Sequence, residues 1–161
     1  MGRYEEALKD CNRAVELEPD NAEYYQSRGV TLHAMKQYEE ALADKSKAIE
    51  LEPNNASSYG SRGVTLHVMK RYDEALADVT KAIELEPNNA EYHRNRGVTL
   101  RAMKRYDEAL KDADKSIELA PENAICYKSR SKTYREIGEI EKAERDDKKA
   151  EELLSKEDKK E

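Results

Sequence analysis

The chain contains no tryptophan and no phenylalanine, only two cysteines and four prolines, and no apolar run of membrane-spanning length. Without those large side chains a core must be filled with alanine and leucine, which suits helices that approach one another closely. Without an apolar stretch of about 20 residues no spanning helix is expected, and the first residues lack the apolar centre of a signal peptide. Cys11 and Cys126 are too few for a disulfide framework; as free thiols they fit a reducing, cytoplasmic setting. Positive charge is also short. Lysine and arginine number 29 against 35 aspartates and glutamates, giving a net charge of −6. Residues 1–123 carry the whole excess, with 18 basic and 24 acidic residues. Nucleic-acid binding draws on clustered cations, so this balance speaks against it.

The few prolines are ordered. Pro19, Pro53, Pro87 and Pro121 stand 34 residues apart, each closing A-[IV]-E-L-x-P or the near copy S-I-E-L-A-P. A fixed period of this length marks stacked supersecondary units. Alignment on the prolines divides the chain into a half unit 1–21, units 22–55, 56–89 and 90–123, a divergent unit 124–154, and a tail 155–161 expected to be disordered. The first two full units agree at 26 of 34 positions, as duplication or engineering would leave them. Each unit reads as two helices. Asn21, Asn55, Asn89 and Asn123 are placed to cap the first, and Tyr25, Arg28, Gly29, Leu32 and Met35 form its inward stripe. The second presents Tyr38, Ala41, Leu42, Lys45, Ala48 and Ile49. Paired acids such as Glu39–Glu40 and Asp73–Glu74 open the second helices, where negative charge favours the helix N-terminus. Gly29, Gly63 and Gly97 lie in mid-helix, where glycine costs about 1 kcal/mol relative to alanine. Close approach of the alanine-faced second helix explains them.

A tyrosine, then R-G-x-x-L, Y-x-E-A and A-I-E-L-x-P-x-N at this period resembles the tetratricopeptide repeat over nearly the whole chain. The resemblance implies an all-α fold, an α-solenoid of antiparallel helix hairpins wound into a right-handed superhelix. It also implies that first helices line a concave face that receives an extended peptide or partner helix.

Three departures from the family pattern stand out. The chain opens on a second helix alone, residues 3–17, which leaves Leu8, Cys11 and Val15 with incomplete cover. That is expected where a longer array is cut, or where the edge recruits another chain. The last helix, about 139–154, puts Glu144, Asp147 and Glu151 where earlier units have Leu76, Val79 and Ile83, as a solvated cap requires. Finally, Arg28, Arg62, Arg96 and Arg130 recur where the family often has an apolar residue, in step with Asp10, Asp44, Asp78, Asp112 and Asp146. A ladder of partly buried arginine–aspartate pairs is expected, within or between units.

The exposed first-helix positions form the candidate binding surface. They are Gln26, Val30, His33, Val64, His67, Arg94, Asn95, Val98, Arg101, Lys128, Lys132 and Arg135, with Gly60 beside them in the second unit. This series passes from mildly apolar with histidines to basic, matching a ligand with an apolar stretch and an acidic end. The Lys/Asn/Arg clamp by which some relatives hold chaperone tails is missing, since Gln26, Val30, Ser61, Glu91 and Asn95 stand at its positions. No metal site is expected from His33 and His67, and His93 aligns with Tyr25, Tyr59 and Tyr127 as a packing substitution. No nucleophile–base set, phosphate loop or cofactor motif is present, so the chain reads as no enzyme. Two functions remain. One is a protein–protein interaction scaffold; the alternative is a structural or engineered module that self-associates through its N-terminal edge.

Overall fold

Among residues 2–157, which the computed structural model describes, all regular structure is helical. The helices are α1 (Gly2–Leu17), α2 (Ala22–Ala34), α3 (Tyr38–Leu51), α4 (Ala56–Val68) and α5 (Tyr72–Leu85), then α6 (Ala90–Ala102), α7 (Tyr106–Leu119), α8 (Ala124–Glu136) and α9 (Ile140–Glu157). They fall into two units, Met1–Glu86 with α1–α5 and Pro87–Glu161 with α6–α9. In the first unit α2 pairs with α3 and α4 with α5, while α1 packs on α2 and α3 on α4. In the second, α6 pairs with α7 and α8 with α9, and α7 and α6 both meet α8. Each unit is thus a stack of helix hairpins.

The local signals act as their chemistry requires. Asn21, Asn89 and Asn123 side chains accept from the amides of Glu23, Glu91 and Ile125 at 3.0–3.1 Å, and Asn55 accepts from Ser58 at 3.3 Å. First helices end in a left-handed residue. The Lys36 amide bonds the His33 carbonyl and the Gln37 amide reaches back to Leu32, each at 2.9 Å, a closure that positive φ at Lys36 permits. Lys70 and Lys104 repeat it at φ 62° and 60°, and Gly138 takes that role in the last hairpin at φ 83°.

Between the helices of a hairpin the gap is narrow. A Cβ on Gly29 would lie 3.2 Å from the Ala41 carbonyl oxygen, and one on Gly97 would lie 3.1 Å from that of Ala109. Ala41, Ala48, Ala75, Ala82 and Ala109 are correspondingly buried. At the N-terminal edge Val15 is buried, against the expectation of incomplete cover, while Leu8 and Cys11 are half-buried. The polar last helix keeps Glu144 and Glu151 exposed and Asp147 half-buried. Helix α9 continues through Ser155–Glu157, which corrects the expected end of order at residue 154; 158–161 lie outside the described residues. Its last apolar pair explains the extension, because Leu153 is buried with Ala124 and Ala150 and Leu154 packs against them.

The left-handed lysines carry strain that glycine lacks. Lys70→Gly is expected to raise stability in urea by about 0.5–1 kcal/mol, and Gly138→Lys to lower it by a similar amount.

Candidate functional site

The polar framework beneath the surface begins with four arginines. Arg28 Nε and Nη2 donate to Asp44 Oδ2 and Oδ1 at 2.6 and 2.7 Å. Arg62 meets Asp78, Arg96 meets Asp112 and Arg130 meets Asp146 in the same two-pronged way at 2.7–2.8 Å. Each aspartate lies 16 residues after its arginine, on the second helix of the same hairpin, and is buried. The third prong turns the other way. Arg28 Nη1 donates to Asn12, Arg62 Nη1 to Ser46 and Arg130 Nη1 to Asp114, each 16 residues before it on the preceding second helix. One guanidinium therefore bonds both within its hairpin and to the helix before it. The hydrogen bonds to aspartate hold all four guanidinium pKa values above the usual range. Tyr25, Tyr59 and Tyr127 rings lie 5.6–6.0 Å from these cations. Asp10, the remaining aspartate of the series, is exposed and pairs with none of the four.

His93 stands where the other units have tyrosine, and it bonds as tyrosine does. Its Nε2 meets the Pro87 carbonyl at 2.9 Å, as the hydroxyls of Tyr59 and Tyr127 meet Pro53 and Pro121 at 3.1 Å.

In the first unit the first-helix surface is formed by α2 and α4. Val30 and Val68 are 52% and 43% exposed, and so present apolar surface on α2 and α4. Val64 and His67 are half-buried beside them, and the His67 ring tilts against Tyr72. Gln26 is engaged in the stack itself. Its Nε2 donates to Ser57 Oγ at 2.6 Å and its Oε1 accepts from Ser58 Oγ at 3.1 Å, which ties α2 to α4. Gly60 is buried, which removes it from the exposed positions.

Under this surface lies a residue that the periodic pattern did not single out as functional. Lys45 occupies the α3 position held by Val79 in α5 and Ala113 in α7, and it is 2% exposed. Its Nζ donates to Thr65 Oγ1 at 2.7 Å and to the Ser61 carbonyl at 3.1 Å, and no carboxylate among the described residues pairs with it. Burial lowers the ammonium pKa to about 8. Thr65 Oγ1 also lies 3.0 Å from His33 Nδ1, and His33 meets Tyr38 edge-on at 5.3 Å. Burial and then the Lys45 charge hold the His33 imidazole below its usual pKa. The signal was present in the sequence: the two most similar units differ at eight positions, and Lys45 against Val79 is the difference that puts a charge into an apolar stripe.

In the second unit the basic surface is partly neutralised. Arg94 sits 3.6 Å from Glu91, Arg101 sits 3.6 Å from Glu136, and Arg135 pairs with Asp147. Hydrogen bonds from Ser131 and Arg135 hold the Asp147 carboxyl below its usual range. Asn95 and Val98 are half-buried, and Thr99 donates to the Asn95 carbonyl at 3.0 Å. Lys128 and Lys132 are exposed, and the Lys128 charge adds to the lowering of the Asp147 carboxyl.

Two variants measure these networks. Arg62→Met leaves Asp78 buried without its cation and is expected to cost about 2–4 kcal/mol, most of it recovered when Asp78→Leu is added. Lys45→Val is expected to raise stability at pH 7 by about 1–2 kcal/mol, since it removes a desolvated charge. The sign with pH follows from the depressed pKa. Between about 8 and the ordinary 10.5 the unfolded chain holds the Lys45 proton and the folded chain releases it. Stability of the parent chain should therefore rise with pH across that window, relative to Lys45→Val in parallel melts.

Residues 56–89 and 90–123 match a model described as tetratricopeptide repeat, residues 22–55 match a second model so described, and residues 1–36 match a TPR repeat model. Among curated protein sequences none matches the chain. A crystal structure of MamA is 23% identical with a TM-score of 0.82, the match covering 98% of this chain and 92% of that one. TTC0263, a thermophilic TPR protein in Thermus thermophilus, is 20% identical with a TM-score of 0.86, over 96% and 85% of the two chains. YrrB, described as a TPR protein with an unusual peptide-binding site, is 26% identical with a TM-score of 0.73, over 94% and 78%. Likeness at this level shows the fold of stacked helix hairpins, and no helix among the described residues is long and apolar enough to cross a membrane. TPR proteins bind protein or peptide partners, which makes this fold a protein–protein interaction scaffold. With family matches extending over residues 1–123, the chain belongs to the tetratricopeptide repeat family.

Proposed function

We propose that this scaffold, acting without catalysis of its own, docks extended peptide segments on the exposed faces of its first helices. The observation that carries the reading is the exposure of Val30 and Val68 on α2 and α4, beside His33 and Val64. Solvent-facing valines in helices of such high polarity offer apolar surface that a partner can cover. On α6 and α8 the available groups are different. Lys128 and Lys132 flank Ile125, itself exposed, and favour an acidic segment. YrrB, described as having an unusual peptide-binding site, supports peptide binding as a use of this fold. The setting we infer is cytoplasmic and reducing, where Cys11 and Cys126 remain free thiols.

Exposed Tyr4 and Leu17 favour a second reading, self-association through α1. Sedimentation over a concentration series decides it: a monomer at every concentration removes that role.

The main reading is tested with peptide arrays probed by the intact chain and by a Lys128→Glu/Lys132→Glu variant. The variant is expected to lose acidic peptides by tenfold or more in affinity, with uncharged ones retained. An unchanged peptide set would reject the assignment of the second unit's surface.

A further inference from the structure

Thr65 has one hydroxyl hydrogen and three polar neighbours, and its choice of acceptor sets the state of His33. Lys45 Nζ, as an ammonium, can only donate to Thr65 Oγ1 at 2.7 Å. The threonine hydrogen then goes to His33 Nδ1 at 3.0 Å or to the Ser61 carbonyl at 3.3 Å. That carbonyl already accepts from Lys45 at 3.1 Å, so the shorter and less occupied acceptor is His33 Nδ1. In that arrangement the imidazole nitrogen accepts and carries no hydrogen, which puts the ring proton on Nε2. The groups facing His33 are Tyr38 and Lys45 from α3 and Thr65 from α4, none of them a carboxylate that would favour the imidazolium. Nε2 has no partner among the described residues.

We propose that His33 is a specificity-determining donor of the α2–α4 surface: Lys45, acting through Thr65, holds it as the Nε2–H tautomer, aimed at a neutral acceptor such as a peptide carbonyl. This rests on the peptide-docking reading above and names its ligand on the first unit. The occupant is an uncharged extended segment, its apolar side chains on Val30, Val64 and Val68 and one backbone carbonyl on His33. Charge on the two helices agrees. Arg28 and Arg62 are committed to Asp44 and Asp78, and α2 and α4 contain no other arginine or lysine to hold a ligand carboxylate. Their single acid is Glu23, at the start of α2. Lys45 itself is covered, and Thr65 links its ammonium to His33.

The tautomer is read by long-range nitrogen–proton NMR of the full chain, without any peptide. Nε2–H is expected at pH 7, where Lys45 is an ammonium, and Lys45→Met should give mixed tautomers with His33 titrating closer to an ordinary histidine. A proton on Nδ1, or a Lys45→Met spectrum identical to the parent, overturns the proposal. The ligand is read by fluorescence anisotropy with an acetylated, amidated octapeptide of alternating valine and serine, against the same peptide with aspartate for serine. The uncharged peptide should bind at pH 7, with its affinity weakened roughly three- to tenfold by His33→Ala. Tighter binding of the aspartate peptide, with the gain lost in His33→Ala, overturns the acceptor assignment. Binding of neither peptide, with the tautomer as expected, overturns the docking reading and the acceptor role with it.

Discussion

The arginine–aspartate pair is the interaction on which the stacking depends. Two prongs of Arg62 hold Asp78 on the other helix of its hairpin, and the third reaches Ser46 on the helix before. Three helices are thereby referred to one planar group with fixed donor directions, which an aliphatic contact would leave free to slide. Such a pair yields little net stability, because desolvation offsets the attraction, and its use is geometric. The cation also lies near Tyr59, so the apolar stripe and the ionic pair occupy the same layer.

Close approach comes from the same design. Gly29, Gly63 and Gly97 have no Cβ to crowd the facing second helix, where one would lie 3.1–3.3 Å from the alanine carbonyl. In the last hairpin Ser131 stands at the glycine position and is buried, while Arg130 keeps its bond to Asp146 and gains Asp114. The layer tolerates a small side chain there. Function resides in what varies between copies. Lys45 replaces the valine or alanine of neighbouring copies and converts a packing position into a proton-holding one, coupled to the surface through Thr65 and His33.

Much of this was legible from order along the chain. The proline period, the asparagine caps and the arginine and aspartate series all rest on local chemistry repeated at a fixed spacing. Helix ends follow from backbone groups and side chains within a few residues. The expected basic surface was less legible. Arg94, Arg101 and Arg135 read as cations, yet Glu91, Glu136 and Asp147 each stand close enough to share their charge. Position on a helix wheel gives the direction of a side chain and leaves its reach unstated. Gln26 shows the same limit, since both ends of its amide are taken by serines of α4.

By itself the sequence determined the family, the helix pairs, their caps and the residues available for pairing, because these depend on near neighbours and on periodicity. Tertiary structure alone decided which pairs formed. It chose the aspartate of the same hairpin for each arginine and gave the third prong of Arg28, Arg62 and Arg130 to the preceding second helix. It also buried Lys45 beside a threonine instead of a carboxylate. The reason is physical: hydrogen bonds act over about 3 Å, and only packing brings residues 16 or 20 positions apart to that distance.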